Sequence, residues 1–281
     1  MVHIITDSAA DLQPWEYEKL GVTCIPLRVA FGDQEYLENV DLDKERFYEL
    51  LLGSEAFPKT SQASPAVLEE IFEKAKAAGD EVVYITLSSC LSGTYQTACM
   101  IRDDVDCPGS YVFDGKNATG GQRLLVEYAC RLRDSGMDAA GIVAGLETIR
   151  DRIELYACVN TLEYLHKGGR ISHAVYTIGN LAQIKPIISI DVEGKVGLPG
   201  KAMGMRKGMD LLCKRVAARK PDDHHPLYVM YTNDRSVAET LAARMEAQGL
   251  GSVPAERIIQ VGAAIGAHIG PGACGLVYVG E

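Results

Sequence analysis

Val82-Val83-Tyr84-Ile85-Thr86-Leu87-Ser88-Ser89-Cys90-Leu91-Ser92-Gly93-Thr94 is an apolar run that opens through small hydroxyl residues into a helix-like segment, Tyr95 to Ile101. The run is too short for a helix and carries no charge, which marks a strand buried on both faces. A strand turning into a helix start in this way is a receptor for an anion: the first helical N–H groups lack intrahelical partners, and the macrodipole adds positive potential. Gly93 lets a ligand approach the backbone. The turn contains no Lys or Arg, so it suits a single carboxylate better than a multiply charged phosphate. The plainer reading is that Ser92 only caps the helix.

Outward from this stretch the pattern repeats. Strand-like Val2 to Thr6 ends in Asp7-Ser8, and Tyr111-Val112-Phe113 ends in Asp114. A helix is expected from Asp11 to Leu20, and a strand over Val22 to Val29, in which Pro26 signals an edge or a bulge. A hairpin-like excursion follows over 31–40, and an amphipathic helix over Asp43 to Leu52. The hydroxyl-rich loop Pro58 to Pro65 leads into a helix with Ser64 as cap and Pro65 as first residue, ending at Gly79. Further helices are expected over 119–132 and 138–151.

Strands alternating with helices predict a parallel sheet covered on both faces, with ligands at its carboxyl edge. After residue 151 come a strand at 155–159, a short helix at 161–165 broken by Lys167-Gly168-Gly169-Arg170, and a hairpin turning at Glu193-Gly194. Helices at 207–219 and 236–248 and strands at 227–231, 257–261 and 276–279 complete the chain. The expected fold is α/β in two domains. Residues 1–150 form a three-layer α/β/α domain with a mainly parallel sheet, and residues 151–281 a two-layer α/β domain with a mixed sheet.

Composition narrows the function. A chain of 281 residues with 47% hydrophobic and 23% charged residues is long enough for two cores. The net charge of -10 argues against nucleic-acid binding and against adhesion to anionic membranes. Eight scattered cysteines without a C-x-x-C pair read as reduced thiols, not as zinc ligands. The absence of a signal-like N-terminus or a membrane-length apolar run points to a cytoplasmic protein.

Several stretches together resemble the DegV family of bacterial lipid-binding proteins. They are Thr6-Asp7-Ser8 with Asp11-Leu12, Lys59-Thr60-Ser61-Gln62 with Ser64-Pro65, and Ser88-Ser89 through Leu91-Ser92-Gly93-Thr94-Tyr95-Gln96. Leu162-Glu163-Tyr164-Leu165 with Lys167-Gly168-Gly169-Arg170-Ile171, Lys185-Pro186-Ile187, and His268 with Gly270-Pro271-Gly272 continue the match. The order spans nearly the whole chain.

The resemblance implies one long-chain fatty acid, palmitate-, stearate- or oleate-like, buried between the halves, with no other cofactor and no metal. It implies that Thr60 and Ser92 hold the carboxylate and that Ser61, Gly93, Thr94 and His268 lie near the head group. It further implies an ATP-binding fatty acid kinase subunit as partner, making acyl-phosphate for phospholipid, with this chain presenting the substrate and having no catalytic residue. Arg170 and Arg206 are then contacts for the partner or for gating. One departure stands out: Met203 occupies a position where relatives are commonly basic, which bears on partner docking.

A buried carboxylate needs hydrogen bonds to replace its water, and hydroxyls with helix-start N–H groups supply them. The chain supplies affinity, at ~0.8 kcal/mol per methylene, so about fourteen methylenes give on the order of 10 kcal/mol before the entropy of binding is subtracted. Arg170 also reads as a solvated residue on a flexible turn, and Thr60 and His268 as structural. Asp7 and Asp114 are read as structural, because a carboxylate beside the ligand's own would repel it. Two rival functions remain. A serine hydrolase would use Ser92 and His268, with Asp7 or Asp114, but Leu91-Ser92-Gly93 lacks the G-x-S-x-G elbow. A nucleotide-binding enzyme would need a phosphate loop, and the glycine-rich 266–275 segment ends in a strand without opening a helix.

Overall fold

The computed structural model describes residues 1–179 and 183–281. Elements are numbered in chain order. The first sheet contains β1 (Val2–Asp7), β2 (Val22–Ile25), β6 (Glu81–Thr86) and β7 (Ser110–Asp114), in the order β2-β1-β6-β7 and all parallel. Alternation along its strands divides two cores, as the period of two requires. Ile4, Val83 and Ile85 pack on α5 (Gly120–Asp134) and α6 (Ala139–Arg150) through Leu125, Ala129 and Ile142. Ile5, Val82 and Tyr84 face α3 (Pro65–Ala78) and α4 (Thr94–Val105) through Leu68, Phe72 and Ala98. This is the expected three-layer arrangement.

The segment expected as one strand over Val22 to Val29 is two strands in different sheets. Pro26 follows β2, and the chain then enters β3 (Arg28–Phe31), the centre of a small antiparallel sheet with β4 (Gln34–Leu37) and β5 (Lys59–Ser61). A residue without an N–H cannot continue the ladder, so Pro26 marks the change of sheet. The stretch read as a hydroxyl-rich loop therefore contains β5, in which Thr60 pairs with Val29. The first helix is also shorter than expected: α1 covers Pro14–Leu20, after a single turn of tighter helix at Ser8–Ala10.

The second sheet is mixed, in the order β10-β9-β8-β13-β11-β12. Its strands are β8 (Ile153–Cys158), β9 (Ile184–Ile190), β10 (Val196–Met203), β11 (Tyr228–Tyr231), β12 (Ile258–Gln260) and β13 (Cys274–Val279). Leu276 and Tyr278 point to α9 (Met205–Ala218) and α10 (Arg235–Ala247), where Leu212, Val216 and Leu241 meet them. Val277 and Val279 point the other way, into the core that contains α5. Helix α5 thus lies between the two sheets and joins the halves through one apolar cluster. Helices α7 (Glu163–Lys167) and α8 (His173–Gly179) complete this half, and α8 was not expected from the sequence.

The glycine-rich segment 266–275 ends in β13, as expected, and its first residues are the last turn of α11 (Ala263–Ile269), a helix that begins shortly after β12. Although α11 belongs to the second half of the chain, it packs on β3, β5 and α2 (Lys44–Gly53). A buried polar cluster fastens it there. Glu38 accepts the Ser8 hydroxyl at 2.6 Å and the Ala264 N–H at 3.2 Å, while Asp11 accepts the Gly262 N–H at 2.9 Å. Lys44 donates to the carbonyls of Asp11 and Gln260 at 2.7 and 2.9 Å. Two acids at a helix start are favoured by its dipole, and they occupy the N–H groups a phosphate would need. A Cβ on Gly262 would lie 2.3 Å from Glu38 Oε1, so only glycine fits between the acids.

Burial pushes Glu38 up to about 7, with the Asp11 charge adding to the effect, and raises Asp11 as well. Between the ordinary carboxyl range and pH 7 the folded chain therefore binds more protons than the unfolded one. The Glu38 contribution to stability is full at low pH and falls as pH rises through that window. Comparing melting temperatures of the parent and Glu38→Gln at pH 5 and pH 8 checks this. The parent's relative stability is expected to drop on the order of 5 °C at the higher pH, and a difference independent of pH would contradict the assignment.

Candidate functional site

Between the two sheets lies a cavity with about 980 Å³ of atom-free space, its mouth included. Leu27, Leu87 and Ala118 line it from the first half, and Leu155, Ile188, Ile190, Val196, Met230 and Val261 from the second. The walls are mostly aliphatic: β8, β9, β10, β11 and β13 of the second sheet turn residues toward the cavity, and connections at the ends of the first sheet's strands, with Leu27, Leu87 and Ala118, close the other side.

The polar lining residues gather where β5, the hydroxyl turn, α11 and the α7–α8 connection meet. Thr60 Oγ1 lies 2.9 Å from His268 Nε2. Ser92 Oγ lies 2.9 Å from Thr94 Oγ1 and accepts the Thr94 N–H at 3.3 Å. Gln62 packs so closely under the turn that a Cβ on Gly93 would approach its Oε1 to 2.7 Å. Arg170 donates from Nε to the Leu91 carbonyl at 3.0 Å and from Nη1 to the Gly168 carbonyl at 2.5 Å.

The electrostatics follow from burial. His268 is pushed down to about 3, first by desolvation and then by the Arg170 charge. It is therefore neutral at physiological pH. Its Nδ1 is buried without a partner, stacked against the open face of Gly168, where a Cβ would lie 2.1 Å away. A proton on that nitrogen would be a buried unpaired donor, so the favoured tautomer carries it on Nε2 and donates to Thr60 Oγ1. The Thr60 hydroxyl proton is then left to point at a ligand. Burial lowers Arg170 below the ordinary guanidinium value, and among the described residues no carboxylate offsets that shift. The site thus holds hydroxyl donors and a cation without its anion.

Most residues singled out in the sequence come together here. Thr60, Ser61, Ser92 and His268 line the cavity; Thr94 is buried behind Ser92, and Gly93 is the residue before α4. Although Gly93 occupies that position, the Ser92 hydroxyl also caps the helix start by accepting the Thr94 N–H. Arg170 differs from expectation: it is half-buried at the site and not on an exposed turn. Arg206 is exposed on α9 and does not line the cavity, and Met203 is 56% exposed at the end of β10. Gln62 and Gly168 were missed as site residues, although both stood in quoted motifs and only their contacts reveal a role.

Asp7 accepts N–H groups of Ala9 and Leu87 and the Gln122 amide, and Asp114 accepts from Ser89 and Lys116, so both acids hold backbone turns. Neither orients His268, whose partner is Thr60 and not Ser92, and an imidazole of such low basicity is a poor base for a hydrolase. Among the described residues, no group of three or more His, Cys, Asp or Glu is arranged to hold a metal, and no helix is long and apolar enough to cross a membrane.

Two α/β halves closed on one largely apolar cavity with a polar corner define a protein built around an internal binding site. The chain belongs to the DegV family, whose model matches residues 1–281. It is 33% identical over 280 residues to a DegV domain-containing protein of Halalkalibacterium halodurans, covering 99% of this chain and 98% of that one. Among solved structures it is similar to a DegV family protein from Thermus thermophilus described for fatty acid binding, with a TM-score of 0.88, 29% identity and coverage of 100% and 99%. It is also similar to a stearic acid-binding protein from Eubacterium ventriosum, with a TM-score of 0.85, 25% identity and coverage of 99% and 98%.

The neutral imidazole is directly measurable. Ring signals of His268 followed by NMR are expected to stay constant from pH 5 to 8, and a titration near 6.5 would show that the ring is solvated and the tautomer argument wrong.

Proposed function

We propose that this chain binds one long-chain fatty acid, with its carboxylate held by Thr60 and Ser92 and its acyl chain in the cavity between residues 1–150 and 151–281. The observation that carries this reading is the cavity itself: aliphatic walls, with hydroxyls and an uncompensated guanidinium gathered at one corner. The relatives described as binding fatty acids support the ligand class. Thr60 donates from a hydroxyl that His268 has already supplied with its other bond, Ser92 donates from the turn, and Arg170 balances the charge. Ser61, Gly93 and Thr94 shape the corner. A carboxylate taken from water is stabilised by such charge-assisted bonds, and a palmitate-, stearate- or oleate-like chain adds the hydrophobic term.

In this reading the protein is a carrier with no catalytic residue of its own. It presents the fatty acid to an ATP-binding kinase subunit that forms the acyl-phosphate, and Arg170 stands where the head group would meet that partner. Arg206, beside the exposed Met203, belongs to the surface offered to it. The eight cysteines are free thiols, which suits a reducing cytoplasm.

Mass spectrometry of the denatured, purified protein is expected to release a long-chain fatty acid at close to one per chain. Replacing Thr60 and Ser92 together by Ala is expected to weaken oleate binding on the order of a hundredfold, because two bonds to a charged group are lost. A double variant that unfolds as the parent does and binds oleate equally well would place the head group elsewhere.

A further inference from the structure

The turn that carries Ser92 is fastened to the other half of the molecule. The tip of the β9–β10 hairpin, residues 191–195, is a closed loop. Asp191 accepts the N–H groups of Glu193 and Lys195 through Oδ1, both at 3.0 Å, and that of Gly194 through its carbonyl at 2.9 Å. This tip lands on the hydroxyl turn. The Gly194 carbonyl accepts the Ser88 hydroxyl at 2.7 Å, and the Glu193 carbonyl accepts the Cys90 thiol at 3.2 Å. Gly194 has φ +85, and a Cβ there would lie 2.2 Å from Ser88 Oγ and 3.1 Å from Lys116 Cα. Backbone conformation and close approach both require glycine.

Ser88 is fully buried and uses every polar group it has. Its N–H donates to the Asn117 carbonyl at 2.8 Å, and its carbonyl accepts from Leu91 and Ser92 at 3.0 and 3.2 Å. Its hydroxyl accepts the Cys90 N–H at 3.2 Å while donating to Gly194. The amide of Ser92 therefore hangs from the residue that the hairpin tip holds. The same hairpin forms a wall of the cavity through Ile188, Ser189, Ile190 and Val196. Head-group corner and acyl-chain wall meet where the hairpin tip lands on Ser88 and Cys90.

We propose that Ser88 is a positioning residue for the carboxylate site, and that the docked hairpin tip on it is the fastening that keeps the fatty acid enclosed. This rests on the fatty-acid reading given above. Undocking the tip loosens the Ser92 turn and opens the wall together, so ligand binding and tip docking are reciprocally linked. Cys90 reports the state of the fastening, since its exposed thiol bonds to the tip.

The test uses the full chain, stripped of lipid and reloaded with oleate, with two readouts. One is the iodoacetamide alkylation rate at Cys90, followed by peptide mass spectrometry; the other is the rate of oleate transfer to albumin. Without lipid, Gly194→Ala is expected to be alkylated at Cys90 several-fold faster than the parent. Oleate is expected to slow alkylation in the parent. Gly194→Ala and Ser88→Ala are expected to release oleate about tenfold faster, the effect of losing roughly one buried hydrogen bond. If Ser88→Ala does not fold, Gly194→Ala decides alone, because it leaves the turn's own residues intact. Oleate leaving Gly194→Ala at the parent's rate overturns the fastening while leaving the carboxylate site standing. A parent chain that takes up no oleate overturns both.

Discussion

The hydrogen bond between Thr60 and His268 joins β5 to α11 across 208 residues of chain, in an interior that keeps the imidazole neutral. Much else in the molecule serves to make that bond possible. The imidazole needs the bare face of Gly168 to lie against, and α11 needs a fixed seat. Glu38, Asp11 and Lys44 supply that seat by taking the amides at the helix start and the carbonyl before it. Burying three ionisable groups is unfavourable unless they are hydrogen-bonded, and here Glu38, Lys44 and Oδ1 of Asp11 each find partners. The cluster fixes where His268 points, and His268 fixes which way the Thr60 hydroxyl donates.

Charge at the site is arranged by separation in sequence. The turn itself is uncharged, and Arg170 arrives from the α7–α8 connection to grip the Leu91 carbonyl, 79 residues away. An arginine held by two carbonyls, with no carboxylate among the described residues to balance it, raises the local potential without closing the site. An anion entering this corner meets hydroxyls already oriented and a cation already desolvated, which lowers the reorganisation that binding requires.

Much of the frame was legible in the sequence because its signals are local. The buried strand before Ser88, the Ser64-Pro65 helix entry and the Glu193-Gly194 turn depend on nearest neighbours, and all three stand in the structure. Three features were not legible. Residues 59–61 form a strand only because β3 lies beside them, and a three-residue polar segment carries no pattern of its own. Helix α11 is built of Gly, Ala, Ile and His, whose stripe is too weak to announce a helix. Glu38, Asp11 and Lys44 look like surface charges by type, and only the fold shows them buried together. For the site, the hydroxyls were legible as motifs and the family resemblance linked them. The burial of Arg170 was not, because glycine pairs ordinarily mark exposed turns.

The central claim is that a fatty-acid carboxylate sits in the corner formed by Thr60, Ser92, His268 and Arg170. A crystal structure of the oleate complex tests it most directly. The account predicts carboxylate oxygens within hydrogen-bond distance of Thr60 Oγ1 and Ser92 Oγ, with the chain running inward past Ile188 toward Met230. Oleate bound with its head group at the far end of the cavity, or lodged in the separate groove beside Trp15 and Tyr228, would contradict it.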